Sequence, residues 1–98
     1  MKFRFQDEDL ERLYSDVDFR SRFSNSVVRG FRKCVNLIQA ATDERDFYAL
    51  KSLHFEKLQG DLAGKHSMRI DLQWRLLVSL EKEGIGKTVL VIEIVDYH

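Results

Sequence analysis

Side chains suited to cutting a phosphodiester bond recur through the second half of the sequence. An arginine guanidinium is a planar, permanently charged fork that matches phosphate oxygens, and a carboxylate or an imidazole can act as general base or acid. RNA cleavage needs only these groups, because the neighbouring 2′-hydroxyl is the nucleophile. Strand-like alternation would gather five polar residues on one sheet face: His54, Glu56, Ser67, Arg69 and Arg75. The set predicts a local RNA-cleaving site, with ordinary exposed polar positions as the alternative interpretation.

A second polar group follows the apolar run KTVLVIEIV at residues 87–95. The run contains no turn residue, so it predicts a buried and rigid strand. Asp96, Tyr97 and His98 would then be held at a sheet end, where they can hydrogen-bond, stack on a base or move protons. The alternative is a polar strand terminus without chemistry. Lys57 and Lys65 lie near the first group in sequence and would add positive charge.

The elements that must position these groups begin with a helical half. Residues 2–5 alternate as a short strand, and Asp7 is suited to cap a first helix. Apolar residues at three- and four-residue steps predict a helix over about residues 25–41. A shorter helix is predicted in DERDFYAL, with Thr42 or Asp43 as its cap.

After Leu50 the apolar period changes from helical to alternating. Gly60 and Gly64 mark turns, and EKEGIGK predicts a hairpin loop between two longer strands. Strands joined by such short links pair antiparallel. The sequence therefore predicts an α+β fold of two layers, in which a short N-terminal strand and two to three helices pack on a twisted antiparallel sheet of about four to five strands.

Composition narrows the class of protein. With 98 residues and no proline, the chain is expected to form one domain over residues 1–98. The formal net charge of +0 gives no overall signal for nucleic acid, so any such binding must come from a local patch. Metal-binding and phosphate-loop motifs do not occur in the sequence, and neither a metal nor a cofactor is expected.

The sequence also favours a cytoplasmic location. Its apolar runs fall short of the roughly 20 residues that a membrane span requires. Its lone cysteine, Cys34, cannot form an internal disulfide, which suits a reducing compartment. Because Cys34 falls in the apolar stripe of the second helix, it is predicted to be a core residue.

Three motifs in the second half carry a resemblance to a known family. They are L-x-G-D-x-x-G at residues 58–64, S-x-R-I followed by Q-W-R within residues 67–75, and E-I-V-D-Y-H at residues 93–98. In this order and spacing the sequence resembles the HigB branch of the RelE/ParE toxin superfamily, the toxins of bacterial type II toxin-antitoxin modules. The N-terminal half is similar only in its helical character.

The resemblance implies a RelE-like fold and a ribosome-dependent endoribonuclease, an mRNA interferase that cuts translated mRNA in the ribosomal A site and is neutralised by an antitoxin. The implied partners are a HigA-like helix-turn-helix antitoxin, the ribosome and mRNA, with operator DNA bound only through the antitoxin. Carried over by position, Arg75 holds the scissile phosphate and residues 96–98 match the family's terminal catalytic group. Lys65 and Arg69 would contribute to RNA binding.

The sequence departs from the family pattern at two positions. Many relatives have a histidine four residues before the turn glycine and a lysine directly before it, where this chain has Glu56 and Gln59. Some relatives use glutamate as the base, so the resemblance implies Glu56 in that role, with His54 as the substitute. Lys57 is the candidate replacement for the missing lysine.

A function without catalysis is the alternative. The same superfold carries ParE-like gyrase inhibitors, which act by binding a protein, and a catalytically weak toxin-like chain can remain as an antitoxin-binding partner. Cleavage of mRNA within codons would distinguish the nuclease from both.

Overall fold

The computed structural model describes residues 1–96 and shows helices packed on one sheet; Tyr97 and His98 lie outside the described residues. The helices are α1 (Glu8–Ser15), α2 (Asn25–Ala40) and α3 (Arg45–Ala49), with 3-10 turns at Lys51–Leu53 and Gly60–Leu62. The strands are β1 (Lys2–Phe5), β2 (Glu56–Lys57), β3 (Lys65–Arg69), β4 (Trp74–Glu83) and β5 (Gly86–Asp96). This α+β architecture is the predicted one.

The sheet has the order β1-β5-β4-β3-β2. Strands β2 to β5 form the predicted antiparallel meander, but β1 pairs with β5 in parallel. The sheet is therefore mixed: its four strands β2 to β5 form the predicted antiparallel sheet, and β1 adds a parallel edge. The reason is the connection: the chain passes through the whole helical layer between β1 and the meander, and so long a crossover lets β1 run in the same direction as β5.

Helices α1 and α2 begin at side-chain caps. Asp7 accepts a hydrogen bond from the backbone N–H of Leu10 at 2.9 Å, as predicted, and Ser24 accepts one from Val27 at 3.3 Å. Each cap satisfies a backbone donor that the first helical turn leaves unpaired.

The short helix α3 begins differently from the prediction of a Thr42 or Asp43 cap. Its N-cap is Glu44, which has helical backbone angles and makes no capping hydrogen bond with its side chain. Asp43 instead accepts from the backbone N–H of Arg45 at 2.9 Å, and Thr42 donates its own N–H to Asp46 at 2.8 Å. The Asp43 carboxylate and the Thr42 backbone N–H are thus used in other local bonds, and the helix starts one residue later than an Asp43 cap would place it.

The core lies between the helices and one face of the sheet. On the helix side its largest buried residues include Leu13, Phe31 and Ile38, and on the sheet side Met68 and Leu76. Cys34 belongs to this core, as predicted, and its thiol contacts the backbone oxygen of Arg69 at 3.5 Å. Burial raises the pKa of that thiol to about 12, so it stays protonated and unreactive.

A bulge between β4 and β5 keeps the core side of the sheet apolar. Leu77 pairs with Glu93 and Val78 with Val91, so Ile92 is the extra residue. The shift lets Val91 and Ile94 both face the helices and be buried, although strict alternation would place them on opposite faces.

Helix α2 approaches the end of β3 very closely at Gly30. A Cβ atom at this position would lie 2.7 Å from Ile70 Cγ2 and 3.0 Å from the Ile70 carbonyl oxygen. Glycine therefore sets the distance between the helical layer and the strand that carries Arg69. None of the helices described within residues 1–96 is long and apolar enough to cross a membrane.

Candidate active site

The sheet face that the helices leave uncovered carries most of the predicted site residues. Glu56 pairs with Ser67 across β2 and β3, and Arg69 pairs with Arg75 across β3 and β4. Because side chains alternate along a strand, these residues share one face with Lys65, which lies two residues before Ser67. We call the five residues Glu56, Lys65, Ser67, Arg69 and Arg75 the polar face.

Within residues 1–96, three oxygen atoms accept hydrogen bonds from Arg75 and orient it in this face. Its Nε donates to Ser67 Oγ at 3.0 Å, and its Nη2 donates to the Ser67 carbonyl at 3.3 Å and to the His54 carbonyl. Arg75 is only 6% exposed and Ser67 only 2%. A charged group so deeply placed must have its donors satisfied, and these contacts also orient the guanidinium plane.

Ser67 therefore has a positioning role that the sequence did not indicate. The sequence placed it in the polar set without assigning it a function. The available signal was a serine inside a short strand, two residues before an arginine of the same face. Its hydroxyl and its carbonyl both accept hydrogen bonds from Arg75.

His54 lies beside the polar face but not in a strand. It ends the 3-10 turn at Lys51–Leu53 with a left-handed backbone (φ 47, ψ 51), so β2 is shorter than the predicted strand. Its ring Nε2 is 2.9 Å from Arg69 Nη1. Since a guanidinium can only donate, His54 accepts this bond, and its Nε2 lone pair is occupied.

Glu56 occupies the open position of the site. Its side chain is exposed and projects from the edge strand on the polar face, opposite Ser67. Within residues 1–96 its carboxylate makes no hydrogen bond or ion pair with another side chain. Glu56 is thus available to a ligand bound over the face.

The two lysines separate onto different faces. Lys65 alternates with Ser67 and Arg69 and joins the polar face. Lys57 pairs with His66 and projects to the opposite side, where burial first, and the Lys57 charge second, lower the pKa of His66. Lys57, the candidate replacement for the missing lysine, therefore does not share the polar face.

Asp96 is near Arg75 along the backbone but on the other face. Val95 pairs with Arg75 and Asp96 pairs with Trp74, so alternation puts the Asp96 carboxylate on the side of Ile94. There its Oδ2 accepts a hydrogen bond from Gln73 Nε2 at 3.2 Å. The predicted contributions of Tyr97 and His98 fall outside the described residues.

The arrangement suits a phosphate group with a nearby base. The Arg69–Arg75 pair places two permanently charged guanidinium groups directly opposite each other on neighbouring strands. A phosphate bound beside them would accept charge-assisted hydrogen bonds. Among the residues that the structure describes, no three His, Cys, Asp or Glu side chains are grouped to hold a metal ion.

Comparison with known proteins identifies relatives over most of the chain. Residues 3–98 match the family model of HigB-like toxins, described as the RelE-like toxin of type II toxin-antitoxin system HigB. The chain is 37% identical over 79 residues to toxin HigB-1 of Vibrio cholerae serotype O1. The aligned region covers 79% of this chain and 81% of the relative.

Solved structures share the fold at low sequence identity. A YoeB/ParE toxin from Agrobacterium tumefaciens aligns over 100% of both chains with a TM-score of 0.57 and 19% identity. A chain of the YoeB-YefM complex from Staphylococcus aureus aligns over 100% of this chain and 97% of that chain, with a TM-score of 0.60 and 17% identity.

Proposed function

We propose that this chain, which belongs to the family of HigB-like toxins of type II toxin-antitoxin systems, is an endoribonuclease. It would cut translated mRNA in the ribosomal A site. The observation that carries the proposal is the cross-strand pair Arg69–Arg75 on the sheet face opposite the helices, which also presents Glu56. This combination offers phosphate recognition and a base on one surface.

The proposed reaction is attack by the 2′-hydroxyl of the RNA on the adjacent phosphorus. The base takes the 2′-proton, the 2′-oxygen bonds to phosphorus, and the P–O5′ bond breaks. The products are a 2′,3′-cyclic phosphate and a 5′-hydroxyl, whose proton comes from the general acid. Arg75 would stabilise the extra negative charge on the phosphorane, because its plane is already oriented by Ser67 and His54.

Glu56 is the base in this proposal. Its carboxylate is exposed on the polar face, whereas the Nε2 lone pair of His54 accepts a hydrogen bond from Arg69. His54 would have to lose that bond before it took a proton. It serves better as the residue that holds Arg69 beside Arg75.

The remaining roles rest on family membership. His98 would protonate the leaving 5′-oxygen, and Asp96 would orient His98. Tyr97 would stack on or position a nucleobase. Among the described residues, the pairing of Val95 with Arg75 brings the end of β5 beside the strand position that carries the proposed phosphate-binding arginine. Lys65 and Arg69 would bind neighbouring phosphates.

The proposed partners follow from the same activity. A toxin that acts on translating ribosomes works in the cytoplasm, contacts mRNA and ribosomal RNA, and needs an antitoxin of the HigA-like helix-turn-helix class. Contact with operator DNA would come only through that antitoxin.

The test is to induce the protein in cells and map mRNA 5′ ends across the transcriptome. New ends within codons of translated messages are expected, together with growth arrest. Glu56→Gln should abolish both, because the amide keeps the shape of the carboxylate but cannot accept a proton. Glu8→Gln, the same change at an exposed residue of α1, is the matched control and should cleave normally.

Two results would contradict the proposal. Intact mRNA with DNA-damage signalling would identify a gyrase inhibitor. Intact mRNA without growth arrest would identify a catalytically weak chain that only binds its antitoxin.

A further inference from the structure

A long apolar groove lies between α2 and the segment that follows α3. One part, with a volume of about 360 Å³, is lined mainly by Cys34, Leu37, Leu50, Leu53 and Ile70. A second part, of about 170 Å³, shares Leu37, Leu50 and Leu53 and continues to the end of α2. The shared residues make the two cavities one surface, which we call the helical groove.

The rim of the helical groove is basic at one end. Lys33 and Arg69 both line the larger cavity, and Lys33 is exposed. Helix α2 contributes arginine and lysine side chains but contains no acidic residue. At the other end Asp46 lines the smaller cavity, where its Oδ2 accepts a backbone hydrogen bond from Thr42. A ligand that matched this surface would be apolar along its length and acidic at the Lys33 end.

We propose that the helical groove binds an amphipathic, acidic segment of the antitoxin, an inference that rests on the proposed function. Leu50 is 39% exposed at the centre of the groove, and an apolar side chain from a partner would cover it. Recognition of this kind uses a few apolar anchors in a hydrophobic groove, with specificity supplied by charges at the rim.

Protein fits this surface better than RNA does. Single-stranded RNA binds through stacking on exposed aromatic rings and through rows of positive charge. The larger cavity has no aromatic residue in its lining, and Phe47, which lines the smaller one, is only 2% exposed. Stacking surfaces for bases are therefore absent from the floor of this groove in the described part of the chain.

Arg69 connects the helical groove to the polar face. Arg69 lines the larger cavity, and its Nη1 is 2.9 Å from His54 Nε2. An acidic residue of the antitoxin at this end would compete with His54 for the guanidinium. Binding in the groove would therefore change the contacts of Arg69 on the polar face without covering the proposed active site.

The experiment measures binding of the purified chain to the product of the reading frame adjacent to its gene, by calorimetry, and growth arrest with and without that product. Leu50→Asp and Lys33→Glu should each weaken binding about tenfold or more. Leu50→Asp would bury a carboxylate in the interface, and Lys33→Glu would replace a positive charge at the rim by a negative one. Leu62→Asp is the matched control: Leu62 is 43% exposed in the turn before β3 and lies outside the groove. It should bind within about twofold of the wild-type chain. All three variants should still arrest growth when expressed alone, which shows that they fold.

The outcomes separate this proposal from the proposed function. If the wild-type chain is neutralised by the partner and the two groove variants are neutralised equally well, the groove assignment is overturned while the toxin function stands. If the groove variants bind the partner normally but lose mRNA cleavage, the groove contacts RNA and the proposal also fails. If the wild-type chain neither arrests growth nor cleaves mRNA, the proposed function itself is wrong.

Discussion

Arg75 donates a hydrogen bond from Nη2 to the main-chain carbonyl of His54, 21 residues earlier in the chain. This contact ties the middle of the sheet to the left-handed turn that precedes β2. Directly after the turn, Phe55 enters the core and Glu56 joins the polar face. Arg75 thus belongs to the proposed phosphate site and also anchors the turn that precedes Glu56, the proposed base.

Replacement of Arg75 should therefore impair both activity and stability. Arg75→Ala leaves the Ser67 hydroxyl and the His54 carbonyl without their donor, and we expect a loss of about 1–3 kcal/mol in the free energy of unfolding. Arg75→Lys keeps the charge but lacks the planar fork, so it should also abolish mRNA cleavage. Urea unfolding and an assay with translating ribosomes measure the two effects. Full toxicity of Arg75→Lys would contradict the assignment, and Arg45→Ala, at an exposed arginine of α3, is the control.

Ser67→Ala should reduce turnover more than it reduces substrate binding. The substitution removes the acceptor of Arg75 Nε but leaves the guanidinium in place, so its orientation toward the phosphate becomes less defined. We expect kcat to fall about tenfold with KM nearly unchanged. Ser79→Ala, at a serine of β4 on the same sheet face, should leave kcat as it is. Equal effects at the two serines would show that Ser67 has no special role.

A pair of substitutions identifies the base. Glu56→Gln should remove cleavage, whereas His54→Asn should retain most of it, because asparagine tolerates the left-handed backbone at this position. Single-turnover cleavage of ribosome-bound mRNA by each variant is the measurement. The opposite ranking would make His54 the base.

Gly30→Ala should destabilise the protein although alanine is the better helix former. The added Cβ would meet Ile70 at 2.7 Å, and overpacking of this kind costs about 1–3 kcal/mol, more than the roughly 1 kcal/mol gained in helix propensity. Gly86→Ala is the matched control, since no atom lies within 4 Å of a Cβ there. The midpoint of denaturant unfolding reports both. A stabilised Gly30→Ala variant would mean that α2 and β3 are not in close contact.

His66 should make stability depend on pH on the acid side of neutrality. Burial, followed by the Lys57 charge, lowers its pKa below the ordinary 6.5, so the unfolded chain takes up a proton before the folded one does. Its contribution is present above pH 6.5 and is lost as pH falls below that value. His66→Phe keeps an aromatic ring for the stack on Phe55 and removes the titration. Between about pH 7 and about pH 5 the variant should lose less free energy of unfolding than the wild-type chain. The same pH dependence of unfolding in both chains would contradict a role of His66.

The sequence was sufficient to predict features that depend on local pattern. Apolar spacing located α2, alternation placed Ser67, Arg69 and Arg75 on one sheet face, and Asp7 was recognised as a cap. The resemblance to HigB-like toxins came from motifs in the second half and is confirmed by a family match over residues 3–98.

Features set by tertiary contacts could not be predicted in this way. His54 has a left-handed backbone and its carbonyl accepts a hydrogen bond from Arg75, and local pattern reveals neither feature. The face of Asp96 follows from a register that includes a bulge near Ile92. The capping prediction for α3 was wrong because Asp43 and Thr42 form other local bonds.

The parallel pairing of β1 with β5 joins the first and the last strands of the described chain. During synthesis β1 leaves the exit tunnel early, but it has no neighbour until β5, which separates it from the rest of the meander, has followed it out. The layer therefore cannot assemble in the order of translation, and contacts so distant in sequence slow folding. A nascent copy would stay incomplete, and its proposed phosphate-binding surface unformed, for as long as β5 remained inside the tunnel.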